Sequence, residues 1–339
     1  MISKTYLIIF LLPLFCVSQT FTGRVVDKIT QQPIETAAVY FDNTTIGTTT
    51  DSNGVFSIVY TDVVQSTLVI SYLGYEKVFI SDYRSQNNIT IELVEADNAL
   101  SEVLIEYDDG LTRRQKLRLF RKEFLGTSEF GKSCKIVNED DLVLKYDKSN
   151  KALYVSSNAV LKIKNKALQY EISYDLADFE VNYKYVNLET KTFTTHSVVY
   201  FGTSFYKDLN KAEKSKTIKH RDHAFKGSVQ HFMRALFHGS LDEDGYMFAQ
   251  KRFTVNPYDF FTIYDTDAFG YKTVMLKEKL DIYYKVDQGS VIQTSVPKFN
   301  VDKYGNYSPI VGVYFSGVMG NQRVGDTLPL DYRFNKSEN

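Results

Sequence analysis

The 339-residue chain contains no tryptophan, six prolines and only two cysteines. Cys16 lies in an apolar stretch near the N-terminus, so Cys134 stands alone once that stretch is removed. An intrachain disulfide framework is thereby excluded, even along an export route that permits one. A lone cysteine is ordinarily a small buried hydrophobe, and Cys134 is read that way. The formal charge is −1, without the basic excess that nucleic-acid binding needs. Beyond the N-terminal stretch no run of about 20 apolar residues occurs, so no later segment has the signature of a spanning helix. The H-E-x-x-H of zinc peptidases and the G-x-S-x-G of α/β-hydrolases are also missing.

What is present starts with MISKTYLIIFLLPLFCVSQ. Lys4 precedes an apolar run from Tyr6 to Val17, and Cys16 and Ser18 are small residues suited to a cut after Ser18. Residues 1–18 read as a secretory signal peptide, too short for a comfortable membrane span. A retained anchor, or a lipid on Cys16, is the alternative, but Phe15 stands where lipidation favours a small residue.

The remainder is rich in Tyr (25) and Phe (24), a composition suited to broad sheets with half-buried faces. From residue 19 to about 95, FTGRVVD, TAAVYF, GTTTD, GVFSIVY, TLVISYLGY, EKVFI and NITIELV alternate with short polar links. Short strands at that spacing predict a small antiparallel β-sandwich. Asp51-Ser52-Asn53-Gly54 reads as a hairpin turn, and its acids are too sparse for a calcium loop.

The residues F-T-G-R-V-V-D, P-I-E-T-A-A-V-Y, G-T-T-T-D-S-N-G-V-F-S-I and L-V-I-S-Y-L-G-Y resemble the carboxypeptidase-D regulatory-like domain, a transthyretin-like (Ig-like) sandwich. The resemblance implies an accessory module at the N-terminus of an exported Bacteroidota protein, with no catalytic residues of its own. ALSEVLIEY (99–107) is similar to the short segment that often follows this module in outer-membrane receptors. F-R-K-E-F-L-G, C-K-I-V-N, L-K-I-K-N-K-A-L-Q-Y-E-I-S-Y-D-L, G-S-V-Q-H-F-M-R-A-L-F, L-D-E-D-G-Y and L-P-L-D-Y likewise resemble exported Bacteroidota proteins of this two-part layout. That second resemblance implies an address and a fold, with no established activity.

Residues 96–126 read as a linker carrying an amphipathic helix over about 112–125. Leu117, Phe120 and Phe124 recur at helical spacing among six basic residues, and Gly126 stands at the helix stop. From 127 to 339 strands dominate, interrupted by helix in KHRDHAFKGSVQHFMRALFHG, which predicts a larger antiparallel β-rich α+β domain. The fold class expected is mainly β with some helix.

Three groups of residues invite a chemical reading. GTSEFGKS (126–133) places Gly126, Gly131, Lys132 and Ser133 in the phosphate-loop pattern. Such a loop needs a strand before it and a helix after it, and here the order is reversed. The expectation is a polar turn from Thr127 to Ser133, with Lys132 in water and no nucleotide bound.

The second group is on the helix after Ser228, where His231, Arg234 and His238 fall on a narrow arc opposite Val229, Phe232, Met233, Ala235, Leu236 and Phe237. A permanent cation between two imidazoles disfavours a metal, so the arc reads as solvated or structural, or as a contact for a ligand or anion. Asp242–Asp244 are the expected acidic partners of Arg234. The third group holds Gly202-Thr203-Ser204-Phe205, which lacks the closing glycine of a nucleophile elbow, and Asp175, Asp178 and Glu180, from which no glycosidase pair can be chosen.

The reading is an exported, non-enzymatic cell-envelope protein located in the periplasm, at the outer membrane or on the cell surface. Its sandwich would be a spacer or interaction module and its larger domain the binding part, contacting protein, glycan or another envelope component. No cofactor, metal, nucleotide or nucleic acid is expected, and peripheral outer-membrane association is. A hydrolase (peptidase or glycosidase) with a noncontiguous site is the alternative, and an outer-membrane β-barrel component the third reading.

Overall fold

The computed structural model describes residues 18–61, 66–86, 88–96, 109–210, 214–267 and 270–334. The expected signal peptide up to Val17 and the ALSEVLIEY segment lie outside the described residues. Among the described residues the chain is mostly strand, and three hydrophobic cores form.

The first core lies between two stacked sheets. Strands β1 (Ser18–Asp27), β2 (Ala38–Phe41), β3 (Gly47–Thr49), β4 (Val55–Thr61), β5 (Leu68–Ser71), β6 (Val78–Ile80) and β7 (Ile89–Leu93) contribute to it. The sheets run β4-β1-β7 and β3-β2-β5-β6. Alternation sends Phe21, Val25, Val39, Phe41, Phe56, Ile58 and Ile70 inward, as a period of two requires. Most pairs are antiparallel; β1 and β7 are parallel, from Gly23 opposite Ile89 to Asp27 opposite Leu93.

The turn at Asp51–Gly54 has the chemistry its residues predict. Asp51 Oδ1 accepts from the N–H groups of Asn53 (2.9 Å) and Val55 (2.8 Å), and Gly54 takes φ 73°. It is no hairpin within one sheet, however, because β3 and β4 belong to different sheets. The turn carries the chain from one layer to the other.

The second core is built on α1 (Arg113–Leu125). Thr112 and Gln115 cap its start reciprocally, and Gly126, at φ 96°, ends it. Next come α2 (Glu129–Lys132), β8 (Cys134–Ile136), β9 (Leu142–Asp147), β10 (Ala152–Ser157) and β11 (Leu161–Asn165). The long pair β12 (Tyr170–Asn187) and β13 (Thr192–Asp208) completes a six-stranded sheet. One edge of β12 holds β11 and β10 in succession; the other holds β13 along its whole length. Phe120 meets Phe179 with ring centroids 4.8 Å apart, and Phe124 meets Tyr174 at 5.1 Å. Burying two such rings contributes about 1.5–3 kcal/mol each. The helix expected within a linker is thus part of this core. Its basic face is also less solvated than expected, since Lys116 is buried against Asp109 at 2.7 Å.

The third core surrounds α4 (Val229–His238), which follows α3 (Ser215–Phe225). One sheet contains β14 (Tyr246–Gln250), β15 (Phe253–Thr254), β18 (Leu280–Tyr284), β19 (Gln288–Thr294) and β22 (Val313–Ser316). The other contains β16 (Phe261–Ile263), β17 (Lys272–Leu276), β20 (Phe299–Val301) and β21 (Tyr307–Ser308). Phe232, Met233 and Leu236 of α4 pack with Phe248, Phe261, Ile282 and Phe299. The region expected as one larger domain therefore holds two cores. No sheet among the described residues closes into a barrel, and no helix there is long and apolar enough to cross a membrane.

After α5 (Gly317–Gly320) the chain makes a 3-10 turn at Val324–Asp326 and returns as a strap to residue 334. Val324, Leu328, Tyr332 and Phe334 of the strap rejoin the second core.

Candidate functional site

The segment 126–133 is occupied by the fold itself. Where a polar turn was expected, α2 forms, because Ser128 caps it by accepting from Gly131 N–H at 2.9 Å. That amide is one a phosphate loop would aim at its ligand. The Ser133 hydroxyl lies 2.7 Å from the Phe130 carbonyl and accepts from Ala167 N–H at 3.2 Å. The glycines serve close packing: a Cβ on Gly131 would sit 2.5 Å from the Leu125 carbonyl oxygen. Ser128 also bonds Asp326, so the turn at 324–326 seals the segment. Lys132 is exposed. Next to it, burial pushes the Cys134 thiol up to about 12.

His231, Arg234 and His238 do not share an open face. Strap and aromatic residues cover two of the three, so of the readings left open for the arc, the structural one describes His231 and Arg234 and the solvated one His238. His231 is buried among Phe225, Tyr246, Tyr284 and Phe334. Gly227 N–H donates to its Nδ1 at 3.1 Å, and the Tyr246 hydroxyl lies 2.9 Å from the same atom. An N–H can only donate, so Nδ1 accepts and the ring proton resides on Nε2, 4.0 Å from Asp244.

Arg234 donates to three carbonyls: Tyr304 at 2.8 Å, Leu330 at 2.8 Å and Tyr332 at 3.0 Å. Its guanidinium lies 4.9 Å from the Phe225 ring centre, and burial lowers it to about 10. The acids expected beside it are elsewhere: Asp244 faces His231 and accepts from Ser240 at 2.6 Å. His238 alone is exposed, held below its ordinary value by partial burial and then by Lys272. Among the described residues, no three His, Cys, Asp or Glu side chains stand ready to share a metal ion.

Ser204 and Asp175 have their partners in the N-terminal sandwich. The turn after β2 inserts against β13: Asn43 N–H donates to the Ser204 carbonyl (2.7 Å), and Tyr206 N–H to the Thr44 carbonyl (2.9 Å). Ser204 N–H donates to Asp42 Oδ1 at 2.7 Å, and Lys77 pairs with Asp175. Gly202 faces the β-bulge near Leu176, where a Cβ would collide with the Asp175 carbonyl. The strap completes the junction, with Leu330 N–H donating to Asn43 at 2.6 Å and Asp331 accepting from Thr45 N–H at 3.0 Å. Nothing in local spacing marks these contacts, which join residues nearly 290 positions apart.

A groove of ≈ 420 Å³ lies between α3 and the β11–β12 connection. Lys166, Lys214 and Lys216 line it with Gln169, Asn210, Thr217 and His220. The Ala167 carbonyl lies 3.2 Å from His220 Nδ1; a carbonyl only accepts, so that nitrogen carries the proton. Lys214, the N-cap of α3, supplies no side-chain cap. Thr217 is 8% exposed. Sequence reasoning missed this group, since its lysines come from two segments about 50 residues apart.

The first core and its docking define a sandwich module fixed to a larger β-rich body. Residues 21–105 match the family model of the CarboxypepD_reg-like domain, in agreement with the resemblance read from sequence. No curated protein matches the chain.

Proposed function

We propose that this chain is an exported, non-enzymatic binding protein of the cell envelope. The CarboxypepD_reg-like module acts as a fixed spacer, and the body behind it contacts an envelope protein or glycan. The single observation that carries this reading is the open groove of Lys166, Lys214, Lys216 and His220. Gly131, Ser133, His231, Arg234, Ser204 and Asp175, from the nucleotide, metal and hydrolase patterns, are engaged with other parts of the chain, whereas these side chains line an open groove. The apolar N-terminus and the module match favour an exported location.

A photo-crosslinking residue at Lys214, compared with one at exposed Lys28, tests the reading in the native envelope. The expected result is a processed chain in the envelope fraction with adducts from position 214 only. Turnover of a peptide or glycan library, with no adduct from position 214, would replace binding by hydrolysis.

A further inference from the structure

The sandwich core draws its side chains from residues 21–93 and the second core from 111–334, so no hydrophobic cluster spans the two. Where they meet, the bonds are polar. Asn43 N–H donates to the Ser204 carbonyl, Tyr206 N–H to the Thr44 carbonyl and Ser204 N–H to Asp42, and Lys77 pairs with Asp175. The Tyr40 ring adds a contact at 5.4 Å from that of Phe205. Parts of one chain joined in this way move relative to one another unless something else fastens them. Because each core is self-contained, opening the junction leaves both sides folded.

The fastening runs through Arg234, whose guanidinium holds two segments that reach the sandwich. Through the Leu330 and Tyr332 carbonyls it seats the strap. Leu330 N–H in turn donates to the Asn43 carbonyl at 2.6 Å, and Asp331 accepts from both the N–H and the hydroxyl of Thr45. Leu330 is thus gripped from α4 at its carbonyl and from the sandwich at its N–H. Through the Tyr304 carbonyl Arg234 also holds the loop 302–306, where Asp302 lies near Tyr83 of the sandwich. Gln230, one turn earlier on α4, donates to the Pro329 carbonyl at 3.2 Å.

We infer that the strap is a latch: its seating on Arg234 and the docking of the sandwich form one coupled equilibrium, and the CarboxypepD_reg-like module leaves the body as a folded unit when the strap lifts. This goes beyond the spacer role proposed above, since the module is fixed only while the strap is seated, and it holds whatever the body binds. Coupling of this kind is reciprocal, so loosening either end loosens the other.

Amide hydrogen exchange of the processed full chain reads these bonds one by one. Arg234→Gln should speed exchange about fivefold or more at Asn43, Ser204 and Tyr206, whose N–H groups bond across the junction and not to the strap. Val25 N–H, bonded to the Gly54 carbonyl inside the sandwich, should stay near its wild-type rate. Thr45→Val is the milder counterpart, removing one hydroxyl from Asp331 and leaving Arg234 untouched. It should speed exchange at Tyr332, whose N–H bonds Pro329 within the strap. If Arg234→Gln speeds exchange at Leu330 and Tyr332 but not at Asn43, Ser204 and Tyr206, strap and sandwich are independent and the latch is overturned. An unchanged Tyr332 in Thr45→Val overturns it too. So does equal acceleration at Val25 and Asn43, which would mean that the module unfolds in place of being released.

Discussion

Gly131 and Gly325 cross in direct backbone contact: a Cβ on Gly325 would lie 2.5 Å from the Gly131 Cα and 2.4 Å from the Leu125 carbonyl oxygen. The second glycine of the phosphate-loop pattern is therefore a packing residue. Gly325→Ala has no flexible neighbour to displace and should destabilise the fold by about 1–3 kcal/mol. Lys132→Ala should stay within about 0.5 kcal/mol of the wild type, as exposed positions do. Denaturant melts of the two variants check both; a working phosphate loop would instead make Lys132 the sensitive position for nucleotide affinity.

Arg234 fastens the C-terminal strap. Arg234→Gln strips three carbonyls of their donor, and about 3 kcal/mol of stability should go with them. Hydrogen exchange should rise first at residues 328–334. His238→Ala, one turn away and exposed, should change neither measurement appreciably.

Two buried carboxyls give stability a dependence on pH. Burial pushes both Asp42 and Asp302 up to about 6 from an ordinary 3.8. Between those values the folded chain holds protons that the unfolded chain has released, so stability rises as pH falls through about 6 and levels off below 3.8. Each group should add about 1 kcal/mol between pH 7 and pH 5. Asp42→Asn with Asp302→Asn should remove that rise, as urea melts at both pH values would show.

Cys134 should be a poor nucleophile. With its thiol pushed up to about 12 by burial, almost no thiolate exists at neutral pH. Modification by an aromatic disulfide reagent should be slow in buffer and fast in denaturant. Equal rates in the two conditions would mean the site opens readily.

Much of the fold is legible locally. The period of two in β2 and β12 names their buried faces, Thr112 and Gly126 bracket α1, and Ser228 and Gly239 bracket α4. Those features depend on neighbours within four residues, which is the reach of a cap or a pleat. The sequence put His231, Arg234 and His238 on one arc of the helical wheel and left open whether that arc was structural or solvated. The partners expected for Arg234 were acids where the structure has carbonyls. A wheel gives direction, not what lies in that direction, and here the strap from residues 328–334 lies over Arg234.

The candidate site was hidden for the same reason. Lys166 and Thr217 belong to a strand connection and a helix, each unremarkable alone, and only the packing of α3 on the sheet puts them around one groove. By itself, the sequence determined the strands, the helix ends, the sandwich module and the misplaced order of helix and strand around GTSEFGKS. Tertiary structure decided what the glycines of that stretch contact, which polar residues are consumed in holding the three cores together, and which are left facing space. Backbone preference acts over a few residues, whereas a groove is set by side chains whose proximity exists only after distant segments have packed.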